Sequence, residues 1–292
     1  LDFKRVGEMA QQHSASLRTA TPTFLSGYIR KCTPEQFASL RLVIVGAEKL
    51  KQRLAQAFEK RFGIEPYEGY GCTELSPIVA VNVPDEVHGS KVQVGHKPGT
   101  IGHPLPGVAA KTVDADTYEP KGPEEEGLLL VKGPNVMLGY LNDSERTEQV
   151  MNGEWYVTGD MAAIGRDGFI TITDRLSRFS KIGGEMVPHL RIEEKIQTVL
   201  GATTEQRCAV TSVPDERKGE RLAVLCHADV DIDELCRKLT ASDLPNLWIP
   251  RREAFIPVNE IPLLGSGKLD LKKIRAMAAE ALQSNTNKNA EG

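Results

Sequence analysis

Short apolar runs alternate with segments of helical period over residues 1–84. Apolar residues at spacings of three and four indicate amphipathic helices, and a short unbroken apolar run before a glycine is typical of a buried parallel strand. The predicted elements are a helix from Phe3 to Ala10, a strand at Leu42–Val45, a helix at Leu50–Phe62 that stops at Gly63, and a strand around Glu65–Gly69. This order predicts an α/β layer.

The pattern changes after Pro84. Glycine and proline are frequent from Gly89 to Gly127, and the apolar runs that follow are short. Three of these runs have strand length and are separated by turns: Leu128–Lys132, Trp155–Thr158 and Phe169–Thr173. Short runs between turn residues favour antiparallel strands, so this middle section is predicted to be a small antiparallel β subdomain.

Helices and strands alternate again beyond Arg175. A helix at Ile192–Val199, two strands at 208–213 and 222–227, and a helix capped by Asp231 predict a compact α+β domain. The predicted organisation is an α/β core remnant at residues 1–95, the β subdomain at 96–176, a mobile C-terminal domain at 177–283 and a disordered tail at 284–292.

Composition narrows the class of protein. The 292 residues carry a net charge of −4 with scattered lysines and arginines, which argues against a nucleic-acid partner. The 5 cysteines form no Cys-x-x-Cys pair, so we expect no zinc site or disulfide framework and a reducing, cytoplasmic setting. No apolar run approaches the roughly 20 residues that cross a bilayer. Since Leu1 opens the chain without a leader, we expect a larger parent protein, with inner-membrane attachment of that parent left open.

The segment Gly69–Glu74, Gly-Tyr-Gly-Cys-Thr-Glu, is the first motif whose residues suggest a chemical role. Two glycines let the backbone approach a ligand, the ring of Tyr70 offers a stacking surface, and Thr73 with Glu74 suits a phosphate and its magnesium ion. The alternative is a strand-to-loop turn in which Thr73 acts as a local cap.

The segment Trp155–Asp160 is the second. An acidic residue after a Thr-Gly turn at a strand end can accept hydrogen bonds from both hydroxyls of a ribose. The alternative is an ordinary hairpin turn, in which aspartate and glycine are common.

Two cationic, glycine-containing segments follow. Residues 174–185 place cations beside Gly183 and Gly184, which suits a phosphate or a narrow thioester channel, although solvated linker charges explain the same residues. Residues 262–270 are not a P-loop, because Pro262 and Leu269 stand where that motif needs Gly and Ser or Thr. What remains is Lys268 on a glycine-rich loop, either brought to a reaction centre or simply exposed.

Together and in this order, the motifs resemble those of the adenylate-forming (AMP-binding) superfamily of acyl-CoA synthetases, luciferases and peptide-synthetase adenylation domains. The matching segments are Gly46–Glu48, Tyr70–Glu74, Gly127–Gly133 with Gly139-Tyr140, Thr158–Asp160, Arg175–Gly184 and Pro262–Lys268. Within the superfamily, residues 69–84, 181–187 and 262–268 look closest to the bacterial bifunctional acyl-acyl-carrier-protein synthetase and 2-acylglycerophosphoethanolamine acyltransferase.

The resemblance implies a role for each matching residue. Thr73 would contact phosphate, Glu74 would hold magnesium, and Lys268 would contact the α-phosphate. Adenine would lie between Tyr70 and Gly71 on one side and Gly46, Ala47 and Glu48 on the other, and Asp160 would bind the ribose with Arg175 beside it. Lys181 and Gly184 would face the phosphopantetheine thiol, and Ser177 would be the hinge. The hinge position usually carries Asp or Lys in the family, and Ser180 stands where an apolar residue is common.

The resemblance also implies an activity. The expected cofactors are ATP (giving AMP) and magnesium, and the expected partners are a fatty acid, a thiol on acyl carrier protein or CoA, and a lysophospholipid. The alternatives are a plain long-chain fatty acyl-CoA synthetase and a non-catalytic module that docks acyl carrier protein. The Ser/Thr/Gly-rich phosphate loop of the family does not occur in these residues, so we expect the chain alone to form no acyl-adenylate.

Overall fold

The computed structural model describes residues 2–201, 206–264 and 269–290, and side chains up to residue 282. The chain forms two compact units, Leu1–Thr173 and Asp174–Gly292. The second unit begins at Asp174, whereas the sequence predicts that it begins at residue 177. No helix in the described ranges combines the length and apolar character needed to cross a membrane.

The first part of the N-terminal unit contains three helices and seven strands. The helices are α1 (Phe3–Gln12), α2 (Pro22–Lys31) and α3 (Gln52–Phe62), and the strands are β1 (Leu17–Ala20), β2 (Leu42–Val45), β3 (Pro66–Gly71), β4 (Ile78–Val81), β5 (Glu86–His88), β6 (Lys91–Gln93) and β7 (His103–Pro104). Strands β1, β2 and β3 run parallel, β4 and β7 continue the sheet antiparallel, and β5 pairs with β6 as a separate hairpin.

The parallel part of this sheet follows from its sequence. Val43 and Val45 of β2 are fully buried among Tyr28, Phe37 and Phe58, which come from the surrounding helices and turns. Helix α3 ends at Gly63, which takes the left-handed conformation with φ 71° that glycine adopts without strain. The predicted strand at Leu42–Val45 is therefore confirmed within a parallel α/β layer.

A second sheet completes the N-terminal unit. It contains β8 (Ala109–Val113), β9 (Gly127–Lys132), β10 (Met151–Asn152), β11 (Trp155–Ile164) and β12 (Ile170–Arg175), with helix α4 (Ser144–Gln149) between β9 and β10. The pairs β8–β9, β9–β11 and β10–β11 are antiparallel. Leu129 and Val131 of β9 pack with Leu75 and Val79, so this sheet shares a core with the segment that follows β3.

Strand β11 corrects one expectation. The sequence predicted a strand end at Thr158, but the strand continues to Ile164 and its pairing with β9 shifts register between Val157 and Met161. Gly159 has φ 73° within this irregularity. A bulge of this kind re-aims a side chain without ending the strand, so Asp160 lies inside a long strand and not in a hairpin turn.

The C-terminal unit is a sheet covered by helices on both faces. Its elements are β13 (Phe179–Ile182), β14 (Glu185–Pro188), α5 (His189–Val199), β15 (Cys208–Asp215), β16 (Gly219–His227), α6 (Ile232–Thr240), β17 (Phe255–Val258) and α7 (Leu271–Ala290). Alternate residues of β15 and β16 pack against α5 and α6 on one face and against α7 on the other. The sheet order is β14–β13–β16–β15, and β17 pairs with β16 in parallel.

Two predictions about the C-terminal unit have different outcomes. Asp231 caps α6 as predicted, since its carboxylate accepts the Glu234 N–H at 2.9 Å. Helix α7 continues to Ala290, within the segment 284–292 that the sequence predicts to be a disordered tail, and the last two residues lie outside the described ranges. Once a helix has formed, each further residue adds one backbone hydrogen bond, which allows a polar segment to prolong it.

Candidate nucleotide site

The carboxyl ends of β2 and β3 bring two glycines side by side. Gly46 follows β2, and a Cβ atom added to it would lie 3.3 Å from the Gly69 carbonyl oxygen in β3. Ala47 has a left-handed φ of 69°, and the Glu48 carboxylate accepts a hydrogen bond from the Thr23 hydroxyl at 3.1 Å. Ligands of open α/β sheets bind at the carboxyl ends of the strands, which is where the structure places Gly46, Ala47 and Glu48.

Tyr70 and Asp160 come from different sheets and meet in the structure. The Tyr70 hydroxyl donates a hydrogen bond to Oδ2 of Asp160, and the Asp160 side chain is buried, with 4% of the residue exposed. Burial, reinforced by the Asp160 charge, raises the pKa of Tyr70, so its hydroxyl remains a donor at neutral pH. The Thr158 hydroxyl accepts the Asp160 N–H at 3.0 Å and donates to the Leu129 carbonyl at 2.8 Å, which fixes the bulge.

Glu74 lies in the short 3-10 turn Thr73–Leu75 and is held by Tyr140. The Tyr140 hydroxyl donates to Oε1 of Glu74 at 2.8 Å, and the guanidinium of Arg146 lies 4.2 Å from the centroid of the Tyr140 ring. The Glu74 N–H, followed by the Tyr140 hydroxyl, lowers the pKa of the Glu74 carboxyl group. Thr73 is exposed at the start of the same turn.

The charges of Glu74 and Asp160 both affect the Cys72 thiol. Burial, followed by the charge of Glu74 and more weakly that of Asp160, raises the pKa of the Cys72 thiol to about 11. A thiol in this state is protonated at neutral pH and is a poor nucleophile. The charges of Glu74 and Asp160 thus both raise the pKa of this one thiol.

Gly71 has no room for a side chain. A Cβ atom added to it would lie 1.7 Å from the Pro77 carbonyl oxygen, which belongs to the backbone and cannot move aside cheaply. We expect Gly71→Ala to lower the free energy of unfolding by about 3 kcal/mol, because forced overpacking displaces the chain. Urea unfolding followed by circular dichroism measures this change. Gly122→Ala is the matched control, because its Cβ would lie 3.4 Å from the Glu125 side chain, and a loss equal to that of the control would contradict the steric reason.

The other predicted site residues belong to the C-terminal unit. Arg175 and Ser177 are exposed at the start of that unit, and Ser177 lies in the 3-10 turn Leu176–Arg178. Gly183 and Gly184 connect β13 to β14 with φ values of 61° and 90°. Two consecutive positive φ values define a tight hairpin turn that glycine allows. The Lys181 side chain is exposed, whereas its N–H is bonded to the Glu220 carboxylate at 2.7 Å.

Ser180, which departs from the family pattern, has a buried partner. Its hydroxyl is hydrogen-bonded to Nε2 of His189, and both residues are buried. Burial, followed by the charges of Arg178 and Arg275, lowers the pKa of His189 to about 3, so the ring is neutral at physiological pH. The polar residue is accommodated because His189 satisfies it. Lys268, the predicted catalytic lysine, lies outside the described residues.

Tyr140 and Arg146 are site residues that sequence reasoning did not assign a role. The available signal was the Gly139-Tyr140 pair, which was noted only as part of a motif, and no local pattern connects it to Glu74 sixty-six positions away. Within the described ranges no group of three or more His, Cys, Asp or Glu residues has a metal-binding arrangement.

Comparison with known proteins relates this chain to enzymes that activate carboxylic acids. Residues 1–141 match the AMP-binding enzyme family. The chain is 30% identical to a long-chain-fatty-acid–CoA ligase of Bacillus subtilis, covering 90% of this chain and 45% of the relative. It is 33% identical to a feruloyl-CoA synthase of Amycolatopsis, covering 82% of this chain and 46% of the relative. The chain thus spans less than half the length of these curated relatives.

A solved structure extends the comparison over both units. ATP-bound MatB from Rhodopseudomonas palustris is 25% identical, with a TM-score of 0.75, over 95% of this chain and 53% of that one. The fold class predicted from the sequence, an α/β adenylation-domain remnant with a β subdomain and a C-terminal α+β domain, is confirmed. The similarity to the AMP-binding enzyme family is thus shown for residues 1–141.

Proposed function

We propose that this chain carries the nucleotide half-site and the C-terminal domain of an ATP-dependent fatty acyl-CoA ligase. The observation that carries the proposal is a pair of carboxylates, Asp160 and Glu74, each held by a tyrosine hydroxyl, that of Tyr70 and that of Tyr140 respectively. A ligase that joins a carboxylate to ATP must bind ribose and neutralise phosphate. Asp160 would serve the first task, and Glu74 would serve the second by holding the cation that neutralises phosphate.

The nucleotide would lie against the carboxyl ends of β2 and β3. Asp160 would accept hydrogen bonds from the ribose hydroxyls, and the Gly46–Glu48 and Gly69–Gly71 backbones would line the adenine. Because the Tyr70 hydroxyl is bonded to Asp160, the ring beside the adenine would also fix the ribose contact. Thr73, exposed at the start of its turn, would contact phosphate.

The donor set fits magnesium. Mg²⁺ is usually held by one or two carboxylates together with substrate phosphates, and Glu74 offers one half-buried carboxylate beside the Thr73 hydroxyl. Glu74 would hold the ion, whose chemistry would be to neutralise the phosphate charge that develops during adenylation. Lys268 would add a second positive charge at the α-phosphate.

The C-terminal domain would serve the second half-reaction. Ser177 would be the hinge, Arg175 would contact the ribose, and the thiol would approach the Lys181 side of the Gly183-Gly184 turn. Rotation of a small domain that exchanges one catalytic surface for another is a common way to divide two chemical steps.

CoA is the acceptor that the relatives favour, since two of them are named a long-chain-fatty-acid–CoA ligase and a feruloyl-CoA synthase. Acyl carrier protein with onward transfer to a lysophospholipid is the second candidate, supported by the sequences of residues 181–187 and 262–268. Thioester formation from synthetic palmitoyl-AMP by this chain, with CoA and acyl carrier protein in parallel, separates the two acceptors. Carrier binding without turnover would instead favour the docking module.

The nucleotide half-site is tested by calorimetry with a non-hydrolysable palmitoyl-adenylate analogue. We expect binding at least about 10-fold tighter than for the matched uridine analogue, because the Gly46–Glu48 backbone would contact the adenine. Equal affinities for the two analogues, or no binding by folded protein, would contradict the proposal.

A further inference from the structure

The loop between β9 and α4 contacts the Glu74 segment at three points. Residues 135–140 are named here the clamp loop. The Asn135 amide donates to the Leu75 carbonyl at 3.0 Å, and the Met137 N–H donates to the Glu74 carbonyl at 2.8 Å. The Tyr140 hydroxyl donates to the Glu74 carboxylate at 2.8 Å. Both the backbone and the side chain of Glu74 are therefore bonded to one loop.

Contacts with helix α4 fix the position of Tyr140. Its N–H donates to the Thr147 hydroxyl at 2.9 Å, and that hydroxyl donates to the Asp143 carbonyl at 2.8 Å at the start of α4. Arg146, from the same helix, covers the ring. These contacts restrict the tyrosine, so its hydroxyl points at Glu74 from a fixed position.

Apolar packing explains part of the position of the clamp loop, because Val136 and Met137 pack against the core cluster that contains Leu75 and Val79. Leu138 is fully exposed, whereas the Asn135 amide and the Tyr140 hydroxyl are directed at residues 74–78. The clamp loop therefore shares both apolar packing and hydrogen bonds with the segment that contains Glu74.

We propose that Tyr140 is a positioning residue, whose hydroxyl fixes the Glu74 carboxylate for the divalent cation that accompanies the nucleotide phosphates. This inference rests on the proposed function, in which Glu74 is the cation ligand. Groups that orient a ligating carboxylate typically change metal affinity by 10-fold or more when they are removed. Tyr140→Phe removes only the hydroxyl and retains the ring under Arg146.

Mn²⁺ binding to this chain in the presence of ATP, followed by water-proton relaxation, tests the inference. We expect Tyr140→Phe to weaken Mn²⁺ binding about 10-fold and Glu74→Gln to weaken it further. The double variant should bind no more weakly than Glu74→Gln, because the tyrosine acts through that carboxylate. Tyr118→Phe is the control, since Tyr118 is exposed and donates its backbone N–H to the Asp114 carbonyl oxygen.

AMP affinity in the absence of metal separates the outcomes. Retained AMP binding by Tyr140→Phe together with weaker Mn²⁺ binding supports positioning. Equal losses of both affinities mean a structural role and overturn the inference, as does unchanged Mn²⁺ binding by Tyr140→Phe when Glu74→Gln is impaired. If Glu74→Gln binds Mn²⁺ normally and AMP does not bind to the wild-type chain, the proposed function fails as well.

Discussion

Asp160→Ala should weaken AMP binding to this chain by about 100-fold. Two hydrogen bonds from the ribose hydroxyls to a charged acceptor contribute about 1.5–3 kcal/mol each. The Asp160 carboxylate is buried and is held by Tyr70, so it needs little reordering when the nucleotide binds. Calorimetric titration of both proteins with AMP measures the effect.

The control for this substitution is a change in the ligand. With 2′,3′-dideoxy-AMP, which lacks both hydroxyls, wild-type and Asp160→Ala proteins should have affinities within about 3-fold of each other. Asp167→Ala removes an exposed carboxylate paired with Lys97 and should leave AMP binding unchanged. An equal loss of both nucleotides in Asp160→Ala would show that the aspartate supports the fold and does not bind ribose.

Glu193→Ala should lower the free energy of unfolding of the C-terminal unit by about 3–5 kcal/mol. Glu193 is 3% exposed, its Oε2 pairs with the Arg178 guanidinium, and its Oε1 accepts the Val210 N–H at 2.8 Å. Removing the carboxylate leaves the largely buried Arg178 guanidinium with the more distant Asp174 carboxylate, at 3.8 Å, and leaves the Val210 N–H without its Glu193 acceptor.

Urea unfolding of wild-type, Glu193→Ala and Glu194→Ala proteins measures this effect. Glu194 is the next residue of the same helix and is exposed, so its loss should change stability by less than about 0.5 kcal/mol. A Glu193→Ala protein within about 1 kcal/mol of the wild type would mean that water reaches Arg178. Since Arg178 follows Ser177 directly, the result also tests how firmly the proposed hinge is joined to its domain.

Local signals predicted most of the elements. The run at Leu42–Val45 is a parallel strand because four consecutive apolar residues can be buried on both faces of a covered sheet. Helix α3 stops at Gly63 and α6 starts at Asp231 because a left-handed glycine and a carboxylate cap act on neighbouring backbone groups. These causes lie within a few residues of their effects, so the sequence alone exposes them.

The end of β11 was predicted wrongly for the opposite reason. Thr158-Gly159-Asp160 has the composition of a turn, but pairing with β9 on both sides of the irregularity holds the segment inside one strand. A partner strand nearly thirty residues earlier decided the outcome, and no local propensity records that pairing.

The sequence by itself determined the α/β and α+β organisation, the caps, and the identity and order of the motifs at residues 69–74 and 155–160. The tertiary structure alone decided that Tyr70 holds Asp160, that Tyr140 holds Glu74 and that Glu193 neutralises Arg178. Helix periods and caps are set by neighbours along the chain, whereas a hydrogen bond between residues 66 or 90 positions apart exists only after the sheets that carry them have packed.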